Sequence, residues 1–302
     1  MKLGRILSPL FVLSAVLPAQ AAPAQGNPTP DDSVLVSTEW LASRLTDSAL
    51  TIIQVERSAE IWAAGHIPGA QALVLSAIVT SHGRLSDELP TEVVLDSVLE
   101  TVGISNGRRV IIYGDPLAAS RLFFTLDYLG LGKRAAILDG GLAKWRAEGR
   151  PVTTDSTPPA LGGIQPEVQP VVLVDAAWLR EHLGDSMTVL LDARPVAEYR
   201  GEAVAEGIER PGHITGAVSF FWRESLARQN PPTLLDRQAL QRILDEAGLT
   251  AGKQLVVYCH TGVRASWLYF VARYLGYAPR LYDASYPEWS ADPSLPIEGP
   301  AQ

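Results

Sequence analysis

The apolar residues of this 302-residue chain fall into short unbroken runs that alternate with longer stretches of helical spacing. Thr188 to Leu191 and Leu255 to Tyr258 are runs of the first kind, bounded by polar residues. They predict strands buried on both faces, as in a parallel sheet. Arg264 to Leu275 has the spacing of a helix and stops at Gly276, and Leu235 to Ala247 does the same before Gly248. A glycine just past the last periodic residue ends a helix, because it enters the left-handed region without a Cβ penalty. Strands alternating with helices predict an α/β fold, a parallel sheet covered on both faces. Sites in such sheets lie at the carboxyl ends of the strands.

The pattern occurs twice. Gly65-His66-Ile67-Pro68-Gly69-Ala70 recurs as Gly212-His213-Ile214-Thr215-Gly216-Ala217, and Val110 to Tyr113 recurs as Leu255 to Tyr258. Trp40-Leu41 returns as Trp178-Leu179, and Leu129-Gly130 returns as Leu275-Gly276. Asp139 through Trp145 matches Asp283 through Trp289 in spacing. The matches keep their order at a nearly constant offset, so the chain holds two copies of one domain, over residues 33–154 and 171–299. Residues 155–170 are rich in Pro and Gly and lack apolar periodicity, which predicts a linker.

The start of the chain follows other rules. Lys2 and Arg5 precede an apolar run from Ile6 to Leu17 that is broken by Ser8, Pro9 and Ser14, and Ala19-Gln20-Ala21 follows. The run is too short to span a bilayer comfortably. Residues 1–21 are predicted to be a signal peptide cleaved near Ala21/Ala22, which directs the mature chain to the periplasm with no membrane attachment afterwards. The formal net charge is −8 and no basic run occurs, which argues against a nucleic-acid partner or an anionic membrane surface. Any anionic substrate must then be held by local donors. The five histidines are scattered, so no metal site is predicted. Gly130-Leu131-Gly132 with Ala135 imitates a dinucleotide fingerprint but lies between a helix and a strand, the wrong order, and no organic cofactor is expected.

Cys259 is the only cysteine, so no internal disulfide can form. A lone thiol in an exported chain is an inert buried group or a reactive one. Its surroundings favour the second reading. Cys259-His260-Thr261-Gly262-Val263-Arg264 links a predicted strand to a predicted helix. Such a loop aims backbone N–H groups inward and adds the positive end of the helix dipole, which favours a thiolate. Gly262 permits a tight turn around an anion, and Arg264 adds a permanent charge with several donors. The same cradle suits a persulfide, whose terminal sulfur is anionic.

Together with Ala265-Ser266, this loop resembles the active-site loop of the rhodanese family. Asp192-Ala193-Arg194 with Glu198-Tyr199 and Gly201 is similar to a second family motif, and Gly212-His213-Ile214 with Gly216-Ala217 to a third. Leu138-Asp139-Gly140-Gly141 with Trp145, and Tyr282-Asp283 with Trp289, resemble its terminal motif. The resemblance covers about residues 34–299. It implies two tandem rhodanese-like domains, each a parallel sheet flanked by helices, the first silent and the second catalytic. Aligned without gaps, Gly114 takes the place of Cys259.

The resemblance also implies a two-step exchange. Cys259 would take sulfur from a small anionic donor such as thiosulfate and pass it to a thiophilic acceptor, cyanide, a thiol or a protein. Cys259 and Arg264 are then the catalytic residues. His260, Thr261, Gly262, Val263, Arg194 and Trp222 are expected at the substrate. Arg194 has an equal claim to an ion pair with Asp192 or Glu198, and Trp222 to plain core packing. His213 recurs as His66 in the copy without a nucleophile, which points to a structural role. Glu198 is a departure: the animal thiosulfate and mercaptopyruvate enzymes carry arginine near there, and an acid tells against mercaptopyruvate. The stretch Gly201 to Arg210 has no counterpart in the first copy and reads as a solvated loop or a lid. Two other functions remain open, a persulfide-binding module serving a protein partner and a cysteine-dependent phosphatase. The phosphatases place one more residue between cysteine and arginine than the four found here.

Overall fold

The computed structural model describes residues 29–300. The predicted signal peptide lies outside them. The first copy contributes strands β1 (Leu35–Val36), β2 (Leu50–Glu56), β3 (Gln71–Val74), β4 (Thr80–His82), β5 (Leu85–Glu88), β6 (Arg109–Gly114) and β7 (Ala135–Leu138). Its helices are α1 (Thr38–Ala42), α2 (Glu60–Ala63), α3 (Glu92–Thr101), α4 (Pro116–Tyr128) and α5 (Gly141–Ala147). The second copy contributes β8 (Leu173–Val174), β9 (Thr188–Asp192), β10 (His213–Ile214), β11 (Val218–Ser219), β12 (Gln254–Tyr258), β13 (Arg280–Tyr282) and β14 (Ile297–Glu298). Its helices are α6 (Ala176–Glu181), α7 (Val196–Tyr199), α8 (Arg237–Glu246), α9 (Val263–Tyr274) and α10 (Ser285–Ala291).

Each copy is built on a five-stranded sheet whose neighbours all run parallel, ordered β1-β7-β6-β2-β3 in the first and β8-β13-β12-β9-β11 in the second. The two orders correspond strand for strand. Helix α8 starts two residues later than its apolar spacing suggests, because Asp236 serves as its cap and accepts the Ala239 N–H at 2.8 Å. Residues 155–169 form no helix or strand and return along the first copy, where the Glu167 N–H donates to the Leu129 carbonyl and Gln71 donates to that of Thr157.

The Gly-His-Ile repeat has one explanation in both copies. The buried hydroxyl of Tyr113 accepts the Ile67 N–H at 3.0 Å, and that of Tyr258 accepts the Ile214 N–H at 3.2 Å. His66 stacks on Trp62 and His213 on Tyr199, with ring centres 3.5 and 3.7 Å apart. An arrangement kept where no nucleophile exists serves the fold.

The copies do not sit as separate beads. Helices α4 and α9 are buried on nearly every side, as helices enclosed by protein are. They pack on each other through Phe123 against Phe270 and Phe124 against Tyr269, edge to face. One hydrophobic cluster therefore runs through both copies. Burying each phenylalanine is worth roughly 1.5–3 kcal/mol, so a few rings suffice to lock the two domains together. The Tyr269 hydroxyl also donates to Asp127 across the seam at 2.7 Å, beside an Arg273–Asp127 ion pair at 3.0 Å. Helix α9 is the element that begins at the cysteine loop.

Candidate active site

Strand β12 ends at Tyr258 and α9 begins at Val263, so residues 259–262 form the connection. Cys259 is fully buried at the carboxyl end of the central strand. Its N–H donates to the Ser285 hydroxyl at 3.1 Å, which in turn donates to the Tyr282 carbonyl at 2.8 Å. Its carbonyl accepts the Tyr286 N–H at 3.1 Å. These bonds fix the entry to the loop against the start of α10. Beyond them the loop changes character. No acceptor among the described residues meets the N–H groups of His260, Thr261, Gly262, Val263 or Arg264. A row of free donors at a helix start is an anion cradle, and it is strongest where the helix dipole adds to it.

Gly262 holds the turn with φ of +76°. A Cβ there would stand 2.5 Å from Asp283 Oδ1 and 3.0 Å from Arg121 Nη1, so no other residue fits. Arg121 comes from the first copy. Its side chain is fully buried and donates to Asp283 at 2.6 and 3.1 Å and to the Asp87 carbonyl at 2.7 Å. The Leu89 N–H completes the set by donating to Asp283 Oδ2 at 2.7 Å. Asp87 and Ser285 are the two non-glycine residues with left-handed φ among the described residues, and both adjoin this loop. Strained backbone gathers at functional sites because the surrounding packing holds it there.

Arg264 donates to Glu198 through both terminal nitrogens, at 2.8 and 3.0 Å. Burial opposes its charge, but the Glu198 bonds and the nearby Cys259 and Glu198 charges outweigh it and raise the guanidinium further. His260 is half-buried, and its Nδ1 is buried without a partner. Burial lowers its imidazole first, and the Arg264 and Arg194 charges lower it further against Glu198 and Asp87. Thr261 is half-buried, and Val263 is buried at the helix start.

Arg194 is committed elsewhere. It binds Asp192 with Nε at 3.0 Å and Nη2 at 2.6 Å, gives a further Nη2 bond to the Gly212 carbonyl at 2.7 Å, and lies 4.1 Å over the Tyr286 ring. Of the two partners weighed from sequence, Asp192 holds it, and only Nη1 stays outside these bonds. Trp222 packs edge to face on Trp267 with centres 6.0 Å apart, inside the same cluster as Cys259. It belongs to the core around the nucleophile. In the 201–210 stretch, Arg210 is anchored on the carbonyls of Trp289, Ser290 and Leu295 at the end of α10, and Glu209 pairs with Arg84 of the β4–β5 turn.

The geometry is that of a cysteine at a strand end followed by a loop of unpaired donors, in a copy braced by the one that lacks a cysteine. The family model for the rhodanese-like domain matches twice, over residues 37–148 and 175–292. The chain belongs to the rhodanese family. Among relatives of this rhodanese, the sulfur carrier protein TtuD of Thermus thermophilus is 32% identical over 283 residues, 87% of this chain and 96% of TtuD. A thiosulfate sulfurtransferase of Azotobacter vinelandii is 31% identical, over 85% of this chain and 94% of its own length. A solved structure of an EanB variant with ergothioneine has a TM-score of 0.79 at 25% identity, covering 89% of this chain and 71% of EanB. This rhodanese is a sulfurtransferase.

Sequence reasoning picked out the loop residues but not Asp87, Arg121 and Ser285, which adjoin the loop in the fold. Ser285 had a signal, since it lies inside the repeated Asp-to-Trp segment. Arg121 had none, because its role exists only after the copies dock.

Proposed function

We propose that the protein moves the sulfane sulfur of thiosulfate, or a similar small anionic donor, to a thiophilic acceptor through a persulfide on Cys259. The observation that carries this reading is the row of unpartnered N–H groups from His260 to Arg264 that directly follows the cysteine. The Cys259 thiolate attacks the sulfane sulfur. A new S–S bond forms to Sγ, the S–S bond of thiosulfate breaks, and its electron pair leaves with sulfite. Cyanide or a thiolate then attacks the terminal sulfur, and the pair of the Sγ–S bond returns to Cys259. Splitting one transfer into two displacements is covalent catalysis. The loop donors stabilise both the departing sulfite and the anionic persulfide. Arg264 supplies positive charge but shares it with Glu198, which suits a donor without a carboxylate.

A second reading draws on the name of TtuD, a sulfur carrier. There the persulfide waits for a protein acceptor. Mass spectrometry after incubation with thiosulfate tests both readings. A gain of one sulfur on the wild type and none on Cys259→Ser is expected. Discharge by small thiols or cyanide supports the enzyme, and a persulfide that persists until a protein is added supports the carrier. No gain with any sulfane donor would overturn both.

We also propose that residues 1–21 direct export to the periplasm. The intact mass of protein recovered from a periplasmic extract should begin at Ala22, and an uncleaved chain confined to the cytoplasm would refute it.

A further inference from the structure

The equivalence of the two sheets lets their sites be compared position by position. Tyr113 pairs with Gln54 in the first sheet as Tyr258 pairs with Asp192 in the second. Two residues further on, Glu56 therefore stands where Arg194 stands. Along the loop, Gly114, Asp115 and Ala119 take the places of Cys259, His260 and Arg264. The first copy has lost both arginines and gained an acid in place of one.

Its helix start is closed to anions as well. Asp115 Oδ1 accepts the N–H groups of Leu117 and Ala118 at 3.1 and 2.9 Å. Their counterparts, Gly262 and Val263, are the free donors of the catalytic loop. The first copy thus carries its own anion where the second is built to receive one.

The space above it remains open. A cavity of about 210 Å³ is lined by Gly114, by Leu35 and Ile137 of the first copy, and by Trp267 and Phe270 of α9. An apolar cavity of roughly 150 Å³ already holds a molecule the size of benzene. The charged groups in the lining are Glu56 and Asp139, both acids. Asp139 is compensated by Lys144 at 3.3 Å and by the Leu234 N–H at 3.0 Å. Glu56 has a bond from the Gln54 amide at 2.9 Å and no ion pair among the described residues, since the adjacent Arg57 is turned to Asp115 at 3.6 Å. Burial pushes its carboxyl up; the Gln54 bond and the Asp115 N–H oppose this, and the Asp115 charge adds to it. Aromatic rings and a carboxylate without an ion pair in the lining of one cavity favour a positive group.

We propose that the copy without a nucleophile is a binding site for a small organic cation, an ammonium group on an apolar body. Asp115 fills the loop that stays open in the second copy, Ala119 stands in the place of Arg264, Glu56 supplies the acid, and Trp267 and Phe270 line the part of the cavity that takes the body of the ligand. The site needs no chemistry at Cys259.

Calorimetric titration of the purified protein with benzylammonium, benzyl alcohol and benzoate tests the assignment. Benzylammonium should bind more tightly than benzyl alcohol, and benzoate should not bind. Glu56→Gln should weaken benzylammonium about fivefold and leave benzyl alcohol unchanged. Ala143→Trp, at the exposed mouth of the cavity, should block both, whereas Cys259→Ser should bind as the wild type does. Benzoate binding as well as benzylammonium, no binding by folded wild type, or binding untouched by both pocket variants would each overturn the proposal. None of these outcomes bears on whether Cys259 carries sulfur.

Discussion

Arg121 of the first copy donates to both carboxylate oxygens of Asp283 in the copy that holds Cys259, beside Gly262. The contact has a mirror. Asp139, the first-copy equivalent of Asp283, accepts the Leu234 N–H, while Asp283 accepts the Leu89 N–H. Leu89 and Leu234 each lie two residues before a helix cap, Thr91 and Asp236. Each copy thus braces the terminal motif of the other, and Arg121 is added only on the side of Cys259.

Arg121→Met should therefore be costly. The side chain is fully buried and Asp283 nearly so, and removing one partner of such a pair leaves the other charge poorly compensated, at about 3–5 kcal/mol. A fall in the urea midpoint, accompanied by a lower rate of sulfur transfer, is the expected result. An unchanged midpoint would show that the pair contributes nothing to holding the copies together.

Glu198→Gln should act on substrate binding. Both terminal nitrogens of Arg264 are engaged by Glu198, which offsets the positive charge facing an anionic donor. Neutralising the carboxylate should lower KM for thiosulfate about three- to tenfold, with a smaller change in kcat. High salt should shrink the difference, because screening weakens the attraction. A higher KM would mean that Glu198 positions Arg264 and that its charge is secondary.

These two residues also mark how far the sequence could be read. The strands Thr188 to Leu191 and Leu255 to Tyr258 and the helices after them were legible, because a buried strand and a capped helix leave strong local patterns. Repetition pointed to a structural role for His66 and His213, and their stacking on Trp62 and Tyr199 is the packing behind it. Glu198 was visible as an oddity, yet its partner was not, since a side chain that reaches from α7 to α9 leaves no spacing signal. Arg194 lay between two readings, because three acidic or anionic partners were within plausible reach and only packing chose Asp192. Arg121 was beyond sequence altogether: its pair spans the interface between copies, and helix docking creates it.

His260 gives the fold a pH dependence of known sign. Burial lowers its imidazole from the ordinary value of 6.5, Arg264 and Arg194 lower it further, and Glu198 and Asp87 oppose them. In the unfolded chain the ring takes up a proton near pH 6.5, whereas in the folded protein it resists until lower pH. The unfolded state then binds more protons, so this contribution is complete above pH 6.5 and is lost as pH falls through the folded-state value. Melting temperatures across pH 5 to 7.5 should fall less steeply on the acid side for His260→Gln than for the wild type. Parallel curves would refute the assignment.

Restoring a cysteine to the first copy should not restore chemistry there. In a Cys259→Ser background, Gly114→Cys returns the missing nucleophile to the equivalent strand end. Gly114 has φ of +124°, and a Cβ on it would lie 2.2 Å from the Val55 carbonyl oxygen and 3.0 Å from Glu56 Oε1. The backbone would have to shift, a carboxylate would face the new thiol, and Asp115 already occupies the donors that a persulfide requires. Negative charge beside a thiol and a filled helix start both disfavour the thiolate. The double variant should accept no sulfur from thiosulfate by mass and should melt at a lower temperature than Cys259→Ser alone. Persulfide formation on the new cysteine would mean that the nucleophile is the sole difference between the two copies, and that the inverted charge of the first has no part in its silence.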